Sequence, residues 1–163
     1  MKLAIGVISD THGLMRPEAL AALQGSDYIV HAGDIGAPEV IAALRRIAPV
    51  TAVRGNNDTA PWARTIPDTA TLSAGGVSIY VLHDLKALAR DAAFGHRVIV
   101  AGHSHRPGVE RRDGVLHVNP GSAGPRRFSL PVSVAHLAID GNDVQAEIEV
   151  LALAPASAVP YAR

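Results

Sequence analysis

The 163-residue chain contains no cysteine. A disulfide framework and a thiolate metal site are both excluded, so a bound metal must be held by nitrogen and oxygen, and the composition suits a reducing cytoplasm. Excess charge of either sign is also missing, because 15 Lys and Arg balance 15 Asp and Glu. No overall basic field draws the chain to nucleic acid or to an anionic membrane. The pairs Arg45-Arg46, Arg111-Arg112 and Arg126-Arg127 accordingly read as solvated faces. No stretch reaches the roughly 18 consecutive apolar residues of a membrane span. The opening MKLAIGVISD reaches Asp10 too soon, with no small-residue cleavage site behind it, to read as a secretory signal.

What is there is a chain with 48% hydrophobic residues, long enough to bury its own core as one domain. That domain is expected over residues 1–153, with the Ala/Pro-rich tail 154–163 lying as a surface strap or fraying. Five apolar segments read as strands: LAIGVIS, DYIVHA, VTAVR, VSIYVL and VIVA. Between them RPEALAALQ, PEVIAALRRI and LKALARDAAF carry helical spacing, two of them opened by the proline that a first helical turn accepts. Strands alternating with helices predict an α/β fold with a largely parallel central sheet. After Gly102, Asp113-Gly114 and Asp140-Gly141-Asn142 mark hairpin turns, which predicts a second, more antiparallel sheet.

Ligands of open α/β sheets bind outside the carboxyl ends of the strands. The five strands here run into Ser9-Asp10-Thr11-His12, Gly33-Asp34, Gly55-Asn56-Asn57-Asp58, His83-Asp84 and Gly102-His103-Ser104-His105. Each end alone is ordinary: a lone histidine is usually bonded to backbone, and Gly-Asp is a common turn. Five ends that all carry Asp, Asn or His point jointly to metal. In VIVAGHSH the two histidines share one side if the extended geometry persists.

The candidates are Asp10, His12, Asp34, Asn56, His83, His103 and His105. They are too many for one ion that must leave a position open for chemistry. Two ions sharing a carboxylate account for the number, with Asp34 as the natural bridge. Imidazole with carboxylate suits Mn, Fe, Co, Ni or Zn better than Ca or Mg. A pair of ions about 3.5–4 Å apart holds a bridging hydroxide as nucleophile and clamps the oxygens of a phosphoryl group, so phosphate-ester hydrolysis is the expected chemistry.

The blocks DTH, GD, GNND, H and GHSH, in that order from Asp10 to His105, resemble the calcineurin-like metallophosphoesterases, whose pattern is D-x-H, G-D, G-N-x-D, H, G-H-x-H. NPGSAGPRR from Asn119 is similar to their small YfcE-type branch, and the sorting subunit of retromer shares the fold. The resemblance implies a four-layer α/β/β/α sandwich of two mixed β-sheets flanked by helices. It implies two divalent transition-metal ions, manganese first among Mn, Ni, Zn, Fe and Co. Asp10, His12, Asp34 and His105 would hold one ion, and Asp34, Asn56, His83 and His103 the other. Asp58 and Asn57 would complete the catalytic centre without binding metal, Asp58 by orienting its neighbours through hydrogen bonds.

The implied activity is a phosphodiesterase acting on small phosphate esters, with homo-oligomerisation left open. The alternative is a non-catalytic scaffold for protein partners, like the retromer subunit; a nuclease is disfavoured by the neutral charge and short loops. Two positions depart from the family. Asn57 stands where larger phosphatases have a histidine, and Asn57 has no acidic proton to donate; Asp84 follows His83 where glycine is usual, and would orient His83 or crowd the entrance.

Arg54 and Arg126 are candidates to neutralise substrate phosphate, although solvated arginine is the plainer reading. His31 reads equally as a residue that orients ligands or as a satisfied strand histidine. His96, His117 and His136 read as structural or exposed, Asn119 to Ser122 first as a turn and second as a segment touching the site, and Trp62 as a pocket wall or a cover over the core.

Overall fold

In the computed structural model, which describes residues 2–89 and 91–154, ten strands assemble into two five-stranded sheets. The strands are β1 (Lys2–Ile8), β2 (Tyr28–His31), β3 (Val50–Ala52), β4 (Thr69–Ala74), β5 (Val77–Leu82), β6 (Val98–Val100), β7 (Gly108–Arg112), β8 (Val115–Asn119), β9 (Ser133–Asp140) and β10 (Asp143–Val150). The first sheet has the order β10-β9-β1-β2-β3 and the second β4-β5-β6-β8-β7. β1, β2 and β3 are parallel, with Ile8 opposite His31 and His31 opposite Ala52. β5, β6 and β8 are parallel in the same way. Antiparallel strands complete both sheets: β9 and β10 on one side of the first, β4 and β7 at the two edges of the second.

Both sheets are therefore mixed, and the architecture is the α/β sandwich expected. Three local expectations are corrected. The five strands read from the sequence do not form one largely parallel sheet; three lie in the first sheet and two in the second. The two late hairpins form at the expected turns, but β7–β8 joins the second sheet and β9–β10 the first. LKALARDAAF is not a helix over its described residues, which hold only the 3₁₀ turn Leu85–Ala87, opened by Asp84, whose Oδ1 accepts from the Lys86 N–H at 3.0 Å. Leu85, Leu88 and Ala93 instead pack on Leu82, Ile99 and Ala101, a tertiary demand that overrides helix propensity.

Alternation of apolar residues along the strands places the main core between the sheets. Ile5, Val7, Val30, Leu137 and Ile139 of the first sheet meet Ile79, Val81, Val98, Val100 and Val118 of the second. Helices α1 (Pro17–Ala22) and α2 (Pro38–Arg45) cover the outer face of the first sheet, where Leu23, Val40 and Leu44 pack on Ile8 and Ile29. Each helix begins with proline, whose missing N–H falls where the first turn has no acceptor. Burying a side chain such as Leu44 contributes about 1.5–3 kcal/mol. Trp62, in the 3₁₀ turn Pro61–Thr65, packs on this outer cluster and so covers the core. Among the described residues the outer face of the second sheet carries the Leu85–Ala87 turn and its neighbours, a thin fourth layer.

The tail expected over 154–163 falls outside the described residues except for Ala154, whose N–H donates to Glu18 Oε2 at 3.0 Å. Among the described residues no helix is long and apolar enough to cross a membrane.

Candidate metal centre

The parallel strands of both sheets send their carboxyl ends to one rim of the sandwich. β1 delivers Asp10 and His12, β2 Asp34, β3 the Asn56–Asp58 loop, β5 His83, and β6 His103 and His105. β8 adds a sixth end at Asn119 that the sequence reading treated as a turn. Backbone bonds knit the loops together: Asp10 N–H to Gly33 C=O at 2.9 Å, His12 N–H to Asp34 C=O at 2.9 Å and Gly102 N–H to His83 C=O at 2.9 Å.

Seven described non-glycine residues have a left-handed backbone, and five of them are candidate ligands: Asp10 (φ 56°), His12 (47°), Asp34 (54°), His103 (72°) and His105 (62°). Each costs about 1–2 kcal/mol. Strain of this kind persists where the surroundings over-determine the conformation, typically at functional sites. The kinks also correct one expectation: extended geometry does not persist beyond Val100, and His103 and His105 do not share an environment. His105 is buried beside Asp10, whereas the His103 side chain is 45% exposed. The ring of His103 meets His83 edge-on at 5.1 Å between centroids.

Asp10 is fully buried. Its Oδ2 accepts from Ser9 Oγ at 2.7 Å and from the His103 N–H at 3.1 Å. Its Oδ1 has no hydrogen-bond partner and faces His105 Nε2 at 3.3 Å, with His12 Nε2 and His83 Nε2 each at 3.9 Å. Asp34 Oδ2 lies 3.7 Å from His12 Nε2 and 3.4 Å from His83 Nε2. Two groups result, Asp10–His12–His105 and Asp10–Asp34–His83, with the ligand atoms of each within 4.8 Å of one another. Asp34 reaches toward a histidine of both. Asn56 and His103 stand at the solvent side of His83, lining a cleft of about 280 Å³.

Buried polar atoms without partners are rare in folded proteins. Here Asp10 Oδ1, His12 Nε2 and His83 Nε2 are all buried without one. His83 bonds the Ala32 carbonyl through Nδ1 at 2.7 Å, which makes Nδ1 the donor and turns the Nε2 lone pair toward the two carboxylates. Acceptors converging in this way demand a cation, and the nitrogen and oxygen donor set fits a divalent transition metal. Without metal, protons take that part. Burial pushes His83 down, but the Asp34 carboxylate 3.4 Å from Nε2, the Ala32 carbonyl and the field of Asp10 outweigh it and leave its pKa raised. Burial pushes Asp34 up, and the nearby His83 ring and the Asn57 N–H outweigh it and hold Asp34 at about 2.

Supporting residues fix these groups. Asp58 accepts from three backbone amides: Ile35 at 3.0 Å and Gly55 at 2.9 Å on Oδ2, and Gly36 at 3.0 Å on Oδ1. It thereby ties the Asp34 loop to the Asn56 loop. His31 is fully buried, accepts the Gly33 N–H on Nδ1 at 3.1 Å and meets Thr11 Oγ1 through Nε2 at 3.0 Å. Burial lowers its pKa to about 3, so it stays a neutral brace between the first two loops. A Cβ on Gly55 would overlap the Asp34 carboxylate, and one on Gly102 would meet Ser9 Oγ and Asp10 Oδ2. Glycine precedes these polar residues because the neighbouring ligand occupies the side-chain space.

The two departures acquire structural roles. Asn57 donates its backbone N–H to Asp34 Oδ1 at 3.0 Å and its side-chain amide to Oδ2 at 3.1 Å. Asp84 does not orient His83, whose Nδ1 is taken by Ala32; its Oδ2 faces His103 Nε2 at 3.8 Å, at the mouth of the cleft. Arg54 lines that cleft but is held by Asp68, Nη2 to Oδ1 at 2.9 Å. Arg126 is exposed, and the arginine whose charge reaches His105 is Arg127, which the sequence reading left among solvated faces.

The segment from Asn119 touches the site. Asn119 Nδ2 donates to Gly102 C=O at 3.1 Å and to Ser104 Oγ at 3.0 Å, and Ser122 Oγ donates to Asp10 C=O at 3.0 Å. The parallel pairing of β8 with β6 was the missing signal. His96 bonds Ser78 at 2.7 Å and His136 bonds Glu149 at 2.7 Å, both away from the rim.

Residues 3–142 match the calcineurin-like phosphoesterase superfamily domain. The chain is 33% identical over 161 residues to a probable metallophosphoesterase of Methanothermobacter thermautotrophicus, covering 90% of this chain and 91% of that protein. It is 30% identical over 175 residues to the phosphodiesterase YfcE of Escherichia coli, covering 89% of each. Its fold superposes on Vacuolar Protein Sorting 29 of Cryptosporidium parvum with a TM-score of 0.79 at 21% identity, covering 93% of this chain and 92% of that one. With the family's blocks placed around one set of unpartnered buried acceptors, this chain belongs to the calcineurin-like phosphoesterase superfamily.

Proposed function

We propose that the protein is a dimetal phosphodiesterase of the cytoplasm that hydrolyses small phosphate esters. The observation that carries the reading is the convergence of Asp10 Oδ1, His12 Nε2 and His83 Nε2, buried without partners, around an Asp34 carboxylate that reaches histidines on both sides. In this reading Asp10, His12, Asp34 and His105 hold one ion, and Asp34, Asn56, His83 and His103 the other, with manganese the first choice of metal and Ni, Zn, Fe or Co as further ones. Such a pair supplies an activated water and charge neutralisation on the phosphoryl oxygens.

The chain's own residues do the positioning. Asp34 is held ionised by the two Asn57 donors, and His83 is oriented by Ala32. Asp58 fixes the loop that carries both Asn56 and Asn57. Hydrolysis joins the water oxygen to phosphorus and breaks the P–O bond to the departing alcohol; one water proton ends on that alcohol. Asn57 cannot deliver that proton as an acid, so diesters with acidic leaving groups are the favoured class. Arg127 brings positive charge to the rim, where a phosphate would approach, while Arg54 lines the cleft with its guanidinium paired to Asp68.

The test is hydrolysis of bis-p-nitrophenyl phosphate and p-nitrophenyl phosphate by protein titrated with Mn²⁺, Ni²⁺ or Zn²⁺, beside Asp34→Ala. Metal-dependent diester cleavage that disappears in the variant is expected. Two bound metals without turnover of either ester would overturn the reading in favour of a scaffold.

A further inference from the structure

A groove of about 460 Å³ opens on the outer face of the second sheet. It exists because the expected helix after His83 is reduced to the Leu85–Ala87 turn, which walls one side while β7 walls the other. The floor comes from β6 and β8, where Ile99 stands opposite His117 in register and Ala101 follows at the strand end. Ile99 is 0% exposed and lies beneath this floor as core, leaving His117 as its half-buried side chain. A pleated sheet under a short turn makes a flat slot, and the volume is that of a small-molecule site.

Two residues connect the slot to the metal centre. Asp84 and His103 line both this groove and the cleft that holds Asn56 and His83. The groove is therefore an annex of the place where phosphorus would sit. Its rim carries Lys86 and Arg112 against Asp84 and Glu110, and Arg112 is already bonded to Glu110 at 2.9 Å. With the charges balanced, the slot selects for an apolar planar body and has no field for a second anion.

We propose that this groove receives an aromatic substituent of the diester substrate, so that aryl or heteroaryl phosphodiesters are the preferred class. The assignment rests on the phosphodiesterase reading above. The ring lies between Leu85 and the β7 backbone, over Ala101 and His117, while the phosphoryl group reaches past His103 to the metal ligands.

Binding of two non-hydrolysable phosphonates to the zinc-loaded protein tests this without requiring turnover. 2-Naphthylmethylphosphonate is expected to bind about 10–100-fold more tightly than methylphosphonate, the ratio that burying an aromatic ring supports. It is expected to shift the amide resonances of Ala101, Val109 and Val118. Gly108→Trp, which enters the slot from the edge strand on the same face as Glu110 and His117, should remove the preference and leave methylphosphonate binding unchanged. Gly108→Leu should do the same, since a Cβ there meets open space.

Equal affinity for the two phosphonates, or a preference that survives in both filled variants, would overturn the assignment. Turnover of bis-p-nitrophenyl phosphate by the same preparations is the separate check on the activity. Its absence with the naphthyl preference intact would fault the phosphodiesterase reading and support the groove as an aryl site.

Discussion

Asn57 grips both oxygens of Asp34, one with its backbone N–H at 3.0 Å and the other with its side-chain amide at 3.1 Å. The residue that departs from the larger phosphatases is thus spent on holding the carboxylate shared between the two ligand groups. Asn57→Ala keeps the backbone bond and frees Oδ2, so the carboxylate gains rotational freedom. Metal affinity should fall about 10–100-fold, the usual effect of losing a residue that orients a ligand. Asn57→His should lose the same amide bond yet regain an ionisable group, separating weaker metal binding from altered leaving-group preference. Titration with Mn²⁺ and Zn²⁺, followed by kcat/KM at saturating metal, reads both. Unchanged metal affinity in Asn57→Ala would remove Asn57 from the positioning role.

The left-handed ligands store strain that the metal-free protein should reveal. His103 is the cleanest case, with φ at 72° and a side chain 45% exposed, so its truncation leaves little cavity. His103→Gly relieves the backbone strain and adds some freedom to the unfolded chain. The net expectation is a metal-free protein more stable by about 0.5–1 kcal/mol. The stabilisation that added metal gives should shrink in the same variant, because a ligand is missing. Chemical denaturation with chelator and with Zn²⁺ measures both; a destabilised metal-free variant would mean that His103 is held by contacts and not by strain.

Gly55 is where backbone approach and metal binding meet. A Cβ there would overlap the Asp34 carboxylate and its amide, so Gly55→Ala must move Asp34 or the Asn56 loop. Overpacking of this kind costs about 1–3 kcal/mol. Metal binding should fail in a protein that still folds. Gly108→Ala is the control, since its Cβ meets open space and should stay within about 0.5 kcal/mol. Thermal melts with and without metal compare the two; equal metal binding would show that the loop yields.

Strand ends were legible because a chemical label sits at each one: an apolar run, often a glycine, then Asp, Asn or His. The division of those strands between two sheets was not, because pairing is set by long-range packing of inner faces such as Val7 and Val81 that have no local mark. LKALARDAAF misled for the reason that spacing alone reports amphipathicity and not what Leu85 and Leu88 will pack on. NPGSAGPRR carries Asn119 and Arg127 without marking their place, because nothing local announces β8; the parallel run of β8 beside β6 brings Asn119 to the rim, and only the fold shows that. The left-handed kinks at Asp10, His12 and Asp34 were equally silent, being imposed by surroundings against residue preference.

His31 gives the sign of the acid response. Its ordinary pKa of 6.5 falls to about 3 in the fold because it is buried, so below 6.5 the unfolded chain binds a proton that the folded one refuses. Stability is therefore complete above pH 6.5 and declines as the pH falls toward 3. Between pH 6.5 and 4.5 the loss from this residue alone should be about 2 kcal/mol. Asp34 does not confuse this window, since its depressed pKa costs stability only below its ordinary value of 3.8. His31→Gln removes the titrating group while keeping an amide that can reach Gly33 and Thr11. Urea denaturation of the metal-free proteins at pH 7 and pH 4.5 should show a steeper decline in the wild type than in the variant. Equal slopes would mean that the loops open and admit water to His31 before the rest of the chain unfolds.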